Sequence, residues 1–151
     1  MKTKLFAKNK KAYFDNEVLD DFEAGLVLNG DEVKAIRLGN ANLKGSYISI
    51  EKTQAFVKEL HISRYKHSAR KNYDPVRPRK LILHKKEIEK IDNAISTKGI
   101  TGLPLELYGK GGLIKLKIGI CKGKKLYDKR KELKKRAQDK EIAKALKKYS
   151  W

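Results

Sequence analysis

Two clusters of titratable residues have the types that acid–base or metal chemistry uses. His84 precedes Glu87 by three positions, which would suit an acid–base pair, but the same pair is typical of a surface helix N-terminus whose imidazole contacts phosphate or solvent. Asp20, Asp21 and Glu23 would suit a carboxylate metal site. If this stretch is a strand, Asp20 and Asp21 point to opposite faces, which argues against a shared ion. Neither cluster combines a nucleophile, a base and an orienting group, so we assign no catalytic residue and expect no enzyme.

The thiol and imidazole groups do not form a ligand set for a metal. The chain has one cysteine, Cys121, and three histidines, His61, His67 and His84. Zinc sites need several such ligands at short characteristic spacings. A single cysteine also excludes a disulfide framework and suits a reducing cytoplasm. The GKGG segment at Gly109–Gly112 lacks the Lys-Ser/Thr pair of a phosphate-binding loop, so we expect neither a metal nor a cofactor.

Basic residues dominate the charge of the chain. The 151 residues include 37 Lys and Arg against 18 Asp and Glu, a formal net charge of +19. A field of this sign attracts polyanions, and nucleic acid is the expected partner. A membrane surface is the competing partner, but no apolar run approaches the ~20 residues of a spanning helix. The N-terminus also lacks the apolar segment of a signal peptide, so we expect a cytoplasmic protein without a membrane partner.

Residues 63–80 combine cations with aromatic rings. The segment SRYKHSARKNYDPVRPRK contains two prolines and no periodicity, which predicts a loop. Tyr65 and Tyr73 would stack on unpaired bases while the cations contact phosphates. The alternative is a merely solubilising loop. The cations are Arg64, Lys66, Arg70, Lys71, Arg77, Arg79 and Lys80.

The chain changes character near Cys121. Before it, Ile118 and Ile120 alternate with other residues, as in a strand with one apolar face. Residues 122–151 contain 13 basic and 4 acidic residues. They are rich in helix-forming types, but like charges repel and the apolar set is too thin for firm docking. We expect a basic tail over 122–151 that is disordered alone and helical against a polyanion; the alternative is an ordinary helix packed on the body.

The first half of the chain reads as short strands with one small helix. Residues 12–28 mix aromatic, β-branched and acidic types and predict one or two strands. Asn29-Gly30 is a turn signal, and Asp31 is expected to cap a short helix that ends at Arg37. Residues 42–62 alternate as a β-meander.

The second half adds a helix and a closing hairpin. Residues 81–95 have helical spacing, and Leu103–Tyr108 with Leu113–Cys121 predict a hairpin. Residues 1–11 form a basic lead that is expected to be mobile. Together these elements predict a mainly β body over residues 1–121: an OB-like closed antiparallel β-barrel with two or three short peripheral helices, because closure hides exposed strand edges.

Three segments resemble the SmpB family of bacterial SsrA-binding proteins. They are FEAGLVLNGDEVKAIRLGNANLKGSYISI (22–50), DPVRPRKLILHKKEIEKI (74–91) and KLKIGICKGKKLYDKR (115–130), and the likeness covers nearly the whole chain. The resemblance implies an oligonucleotide-binding-type β-barrel that binds the tRNA-like domain of tmRNA. It also implies delivery of alanyl-tmRNA, with elongation factor Tu and GTP, to stalled ribosomes for trans-translation. The tail would enter the 16S rRNA decoding centre and the empty mRNA channel. A monomer is expected.

The resemblance also implies which residues form each site. In the N-terminal motif, Asn9-Lys10-Lys11-Ala12 leads directly into Tyr13, without the short histidine-containing insert that is usual in the family. Tyr127 falls where the family places a ring able to stack on a decoding-centre base. The residues implied against the tRNA-like domain are Asn9, Lys10, Glu23, Arg79, Lys80, Ile82, His84 and Lys85. Those implied in the decoding centre and mRNA channel are Lys124, Lys125, Tyr127, Asp128, Lys129, Arg130, Lys134 and Arg136.

Two other functions fit the same composition. A general ribosomal protein or RNA chaperone would bind structured RNA by charge alone, and an RNA-acting enzyme would turn RNA over. Both binding functions predict loss of affinity as salt rises. Only a tmRNA-binding protein would keep a preference for a tRNA-like elbow over an unrelated hairpin.

Overall fold

A computed structural model describes residues 3–69 and 72–124. Within these residues the chain is mainly β, with three short helices. The elements in chain order are β1 (Thr3–Lys8), α1 (Lys10–Asp15), β2 (Asn16–Leu26), α2 (Gly30–Arg37), β3 (Ala41–Asn42), β4 (Tyr47–Glu51), β5 (Gln54–Lys58), β6 (His61–Ile62), β7 (Arg79–Ile82), α3 (Lys85–Ile95), β8 (Ile100–Lys110) and β9 (Leu113–Gly123).

The β8–β9 hairpin joins two of the longest strands of the sheet. Its strands pair antiparallel from Ile100 opposite Lys122 to Lys110 opposite Leu113. Gly111 and Gly112 form a two-residue loop with φ of 58° and 78°, the left-handed backbone that tight hairpin turns require and glycine supplies at little cost. The predicted hairpin is therefore confirmed, and both strands are longer than the sequence indicated.

Seven strands form one antiparallel sheet in the order β1-β8-β9-β2-β7-β5-β4, and β3 pairs with β6 separately. The pairing order is open, with β1 and β4 as its edges. The sheet nevertheless curls and brings β8 close to β4, although they are not paired. The evidence is that a Cβ built on Gly102 in β8 would lie 3.0 Å from Cβ of Ile48 in β4. The mainly β, antiparallel prediction is confirmed.

The concave face of the sheet encloses the main core. Alternation along each strand sends every second side chain inward, and α2 and α3 contribute Ile36 and Ile91. A smaller cluster joins Ala12 of α1 to Leu105 and Cys121 on the hairpin. The buried residues of the main core include Ile36, Leu43, Ile48, Val57, Leu60, Ile62, Leu81, Ile91, Leu107, Leu116 and Ile118.

The predicted helix after Asn29-Gly30 is present, but its N-cap is Asn29 rather than the expected Asp31. The Asn29 side chain accepts a hydrogen bond from the Glu32 backbone N–H at 3.0 Å, and the Asn29 N–H donates to Glu32 Oε1 at 3.1 Å. This reciprocal pair is a capping box. Asp31 lies inside the first turn, where its negative charge favours the helix dipole.

Part of the predicted N-terminal lead is a strand of the sheet. Residues 3–8 form β1, which pairs antiparallel with β8 from Thr3 opposite Lys110 to Lys8 opposite Glu106. Main-chain pairing needs no apolar sequence, and Phe6 and Ala7 also pack on the core. The folded body therefore begins near residue 3.

Two predicted boundaries also shift. The helix expected over residues 81–95 starts at Lys85, because Leu81 and Ile82 belong to β7. At the other boundary, β9 continues to Gly123, and the Lys124 N–H donates to the Asp15 carbonyl at 2.9 Å. The folded body thus includes residues 122–124, which the sequence analysis assigned to the tail.

Candidate nucleic-acid interface

The convex face of β2 and β7 brings together Glu23 and Ile82, which are 59 positions apart in sequence. Gly25 lies opposite Ile82 in the β2–β7 pairing, and Glu23 is two residues before Gly25, on the same face. A Cβ on Gly25 would lie 3.3 Å from Cβ of Ile82. The bare glycine leaves Ile82 projecting from the sheet, with 61% of its surface exposed.

Glu23 is held by two side chains of β8. The Tyr108 hydroxyl donates to Glu23 Oε2 at 2.5 Å, and Lys110 Nζ lies 3.5 Å from the same oxygen. The Tyr108 hydrogen bond, with the nearby Lys110 charge, lowers the pKa of Glu23. Burial and the Glu23 carboxylate raise the pKa of Tyr108. At neutral pH the pair is therefore a neutral phenol donating to an oriented carboxylate.

A second charged group lies one step along the same face. Lys117 Nζ is 3.7 Å from Asp21 and 3.6 Å from Glu106. Burial alone would lower the pKa of Lys117, but Tyr13 and the two carboxylates outweigh it and raise the pKa. Thr3, Leu5, Phe22, Glu23, Tyr108 and Lys117 are among the residues that line a shallow hollow of about 460 Å³ here.

The residues around Ile82 add positive charge to this face. Lys80 is exposed and two residues before Ile82, so both side chains leave the same side of β7. His84 and Lys85 are exposed at the start of α3, where the His84 N–H donates to Glu87 Oε1 at 3.1 Å. Glu23, Lys80 and Ile82 therefore share the outer face of β2 and β7, and His84 and Lys85 follow at the exposed start of α3.

Lys10 lies apart from that surface. It is exposed at the first residue of α1, directly after β1. In the sheet order, β8, β9 and β2 separate β1 from β7. Lys10 is therefore available to an anion but is not brought beside Ile82.

Arg79 is not available to a phosphate, and its assignment to the RNA surface is wrong. It is fully buried, with 0% of its surface exposed. Its Nε donates to Glu32 Oε2 at 2.7 Å, and its Nη2 donates to the Tyr73 hydroxyl at 3.1 Å and the Pro75 carbonyl at 3.2 Å. The alternation of β7 explains this, because Arg79 and Leu81 point inward while Lys80 and Ile82 point outward.

Asn9 is also structural rather than RNA-binding. Its buried side chain donates to the Leu43 carbonyl at 3.3 Å and the Pro104 carbonyl at 3.0 Å. The side-chain oxygen accepts from the Ala12 N–H at 3.1 Å and caps α1. Both amide donors thus have partners inside the protein, and the predicted RNA contact of this side chain is corrected.

The loop after β6 uses its aromatic and basic residues largely to fasten itself. The Tyr73 hydroxyl donates to the Ile62 carbonyl at 2.7 Å, and Arg77 pairs with Glu32. Tyr65 packs edge-on against His67, with Lys34 Nζ 5.3 Å from its ring centroid. Arg70 and Lys71 lie outside the described residues. The Tyr73 hydroxyl is therefore bound within the protein, and base stacking by its ring stays a prediction.

Most of the predicted decoding-centre residues lie outside the described part of the chain. Lys124 is the last described residue, half-buried beside Asp15. The others, Lys125, Tyr127, Asp128, Lys129, Arg130, Lys134 and Arg136, are beyond it. The tail assignment remains a prediction.

Among residues 3–69 and 72–124, no group of three or more His, Cys, Asp or Glu side chains could hold a metal ion. Burial raises the pKa of the Cys121 thiol to about 11, so it is protonated at neutral pH and a poor nucleophile. No described helix has the length and apolar character needed to cross a bilayer.

Comparison with known proteins supports the sequence resemblance. A family model described as SmpB protein matches residues 6–148. The chain belongs to the SmpB family.

SmpB-family relatives match it over nearly its whole length. An SsrA-binding protein of Geotalea uraniireducens is 50% identical and covers 97% of each chain. An SsrA-binding protein of Geobacter sulfurreducens is 49% identical and covers 99% of this chain and 98% of the relative. A solved structure described as "tmRNA-SmpB: a journey to the center of the bacterial ribosome" has a TM-score of 0.68 and 39% identity, over 87% of this chain and 92% of that one.

Sequence reasoning missed three residues of the convex face. Tyr108 and Lys110 contact Glu23, and Lys117 contacts the neighbouring Asp21, but all three lie in β8 and β9, more than 80 positions away in sequence. Period-2 alternation in these strands would have placed them on the outer face. It could not have indicated that β2 lies beside them.

Proposed function

We propose that this chain binds the tRNA-like domain of tmRNA with its convex face and serves trans-translation at the ribosome. The observation that carries the proposal is that the SmpB-family match spans residues 6–148 while Glu23 and Ile82 lie exposed on one face. The relatives are SsrA-binding proteins, and the similar structure contains tmRNA and SmpB in connection with the bacterial ribosome.

The chemistry of the convex face suits structured RNA. Ile82 offers an apolar surface to a ribose or base, and the oriented Glu23 carboxylate accepts hydrogen bonds from a base amino group or a 2′-hydroxyl. Lys80 and Lys85 offer charge to phosphates, and His84 offers an imidazole beside them. The curled sheet presents these groups as an OB-like barrel would, although its paired order is open.

The remaining predictions of partners follow from this function. Residues 125–151 would enter the 16S rRNA decoding centre and mRNA channel as a helix formed on the ribosome. Elongation factor Tu with GTP would accompany the alanylated RNA, and the protein would act as a cytoplasmic monomer without catalytic activity. These steps are supported by the family resemblance and by the basic composition of the tail.

The first experiment is to sequence the RNA that copurifies with the full chain from its own cells. We expect tmRNA to be the main enriched species. In vitro, the chain should prefer a tRNA-like-domain RNA to an unrelated hairpin of equal length, and the preference should persist as salt rises. Equal affinity for both RNAs at every salt concentration would favour the general RNA-chaperone function instead.

The convex face is tested with Ile82→Asp. An aspartate places a charge where an apolar contact is expected, so affinity for the tRNA-like domain should fall by about tenfold or more, the effect of ~1–3 kcal/mol. Leu19→Asp is the matched control, because Leu19 is 50% exposed at the other end of β2. Both affinities are measured by filter binding after thermal unfolding has shown that the variants fold. Equal affinities for the two variants would remove Ile82 from the site.

A further inference from the structure

The tip of the β8–β9 hairpin is flanked by two hollows, one of which it shares with Ile82. One, of about 220 Å³, is lined by residues that include Gly25, Val33, Ile82 and Leu113. The other, of about 330 Å³, is lined by residues that include Lys4, Phe6, Arg37 and Leu113. Leu113 is shared by both hollows and is 62% exposed. We call Lys4, Arg37, Gly109 and residues 111–113 the hairpin-tip surface.

The hairpin-tip surface is continuous with the proposed RNA face. Ile82 and Leu113 line the same hollow, and both are among the most exposed large apolar residues of the described chain. An RNA strand lying across Ile82 would therefore meet Leu113 next. Lys115 of β9 also lines this hollow and lies opposite Gly25 of β2.

The charge of the surface complements a phosphate backbone. Lys4, Arg37 and Lys115 line the two hollows, and among the described residues that line them none is acidic. This differs from the Glu23 side of the face, where Lys110 and Lys117 contact carboxylates. Polyanionic RNA would find Lys4 and Arg37 here without a carboxylate partner among the described residues.

Arg37 is placed to hold a phosphate in a defined position. Its Nη2 donates to the Gly112 carbonyl at 3.3 Å, which fixes the exposed guanidinium against the hairpin loop. This bond uses one of the five N–H donors of the guanidinium. Its planar fork matches two oxygens of a phosphate, which a lysine cannot do.

The floor of the second hollow is built for close approach. A Cβ on Gly109 would lie 3.0 Å from Phe6 Cε2, so the glycine lets the Phe6 ring lie directly on β8. Lys4 Nζ lies 5.8 Å from the centroid of that ring. The Phe6 ring attracts the Lys4 ammonium, and both residues line the same hollow as Arg37.

We infer that the hairpin-tip surface binds the sugar–phosphate backbone of the same tmRNA segment that covers Ile82. Arg37 forks onto one phosphate, Lys4 neutralises a neighbouring phosphate, and Leu113 packs against a ribose. The inference rests on the proposed function and extends its RNA surface from β7 across the hairpin to β1. It assigns a specific role to Arg37, which is the last residue of α2.

The test measures binding of the full chain to tRNA-like-domain RNA over a range of salt concentrations. Arg37→Gln should weaken binding about tenfold and make the slope of log affinity against log salt shallower by about one ion. Arg37→Lys should recover the slope but not the full affinity, because it restores charge without the fork. Lys98→Gln is the control, since Lys98 is exposed near the end of β8 that is remote from the tip. Leu113→Ser changes an exposed side chain without changing the charge, so it should lower the RNA affinity about threefold and leave the salt slope unchanged.

The outcomes separate this inference from the function on which it rests. If the unaltered chain shows no preference for the tRNA-like domain, the proposed function itself fails. If it does show the preference and Arg37→Gln behaves like Lys98→Gln, only the hairpin-tip inference is overturned. It is also overturned if Arg37→Gln weakens an unrelated hairpin equally, or if it spares tmRNA and weakens ribosome binding instead.

Discussion

Glu23 shows how a single carboxylate can serve a surface that binds a polyanion. An unpaired anion would repel phosphate, but Tyr108 and Lys110 hold this carboxylate in place and offset its charge. The carboxylate thereby becomes an oriented acceptor for RNA donors. Tyr108 lies on β8, which is separated from β2 only by β9. Its hydroxyl therefore reaches Glu23 and orients the carboxylate.

Replacing Tyr108 with Phe tests this positioning role. The variant keeps the ring and removes the hydrogen bond, which is the largest cause of the lowered pKa of Glu23. The Glu23 pKa should therefore rise toward its ordinary value, and affinity for the tRNA-like domain at pH 7 should fall by about threefold. Carboxyl NMR titration measures the first effect, and filter binding measures the second. Tyr47→Phe, at an exposed tyrosine on β4, should change neither; an unaltered Glu23 pKa in Tyr108→Phe would contradict the role.

Individual residues differ in how far the sequence could predict their roles. Ile82 and Lys80 were assigned from the family resemblance, because periodicity predicted a loop and a helix where β7 lies, and the structure exposes both. The alternation of β7 sends Arg79 inward, where a buried arginine requires a partner, and Glu32 is 47 positions away in sequence. Asn9 has the same difficulty, because the carbonyl it contacts at Pro104 is 95 positions away. Local alternation indicates which side of a strand a residue occupies, but its contacts on that side come from residues that are distant in sequence.

At the scale of elements, one buried ion-pair network joins α2 to β7 and to the loop before it. Glu32, 1% exposed, accepts from Arg79 and Arg77, and Arg79 also donates to the Pro75 carbonyl. Burial alone would raise the pKa of Glu32, but the Asn29 N–H and the two arginines outweigh it and lower the pKa. This network positions β7, and hence Ile82, relative to α2 and Arg37.

Glu32→Gln should destabilise the fold by about 3 kcal/mol, because it leaves the Arg79 charge buried without its counter-ion. Folding lowers the pKa of Glu32 below its ordinary 4.5. The stabilisation is therefore fully present above that pH and is lost as pH falls through the lower folded-state pKa. Urea unfolding of the full chain should show a large difference from wild type at pH 7 and a smaller one at acid pH. Glu89→Gln, on the exposed side of α3, is the control, and equal stability of the two variants would contradict the prediction.

Elements defined by local signals were predictable, and those defined by distant pairing were not. The helix after Asn29-Gly30 and the hairpin around Gly111-Gly112 carry their own turn residues, and both are present. β1 has no such signal, because its order comes from main-chain pairing with β8 about a hundred residues later. The order of the seven strands was likewise not accessible from periodicity.

At the scale of the whole molecule, the positive charge is divided between the folded body and the tail. Residues 122–151 carry 13 basic and 4 acidic residues, about half of the net +19. The structure moves the boundary between the parts, since β9 runs to Gly123 and Lys124 bonds to Asp15. A truncation after Lys124 therefore keeps every described hydrogen bond of the body, whereas one after Cys121 would remove the end of β9.

Deleting residues 125–151 should separate RNA selection from ribosome function. Selection of tRNA-like-domain RNA over an unrelated hairpin should change by no more than about twofold, because Glu23, Ile82 and Arg37 all remain. Absolute affinity should fall equally for both RNAs, since the lost cations act without sequence preference. Peptide tagging on stalled ribosomes in a reconstituted translation system should be abolished. The full-length variant Tyr127→Ala keeps every tail lysine and loses only the ring, so it distinguishes the effect of charge from that of stacking in the tail. If the truncated chain lost its selectivity for the tRNA-like domain, recognition would not reside in the folded body, and this division of labour would be wrong.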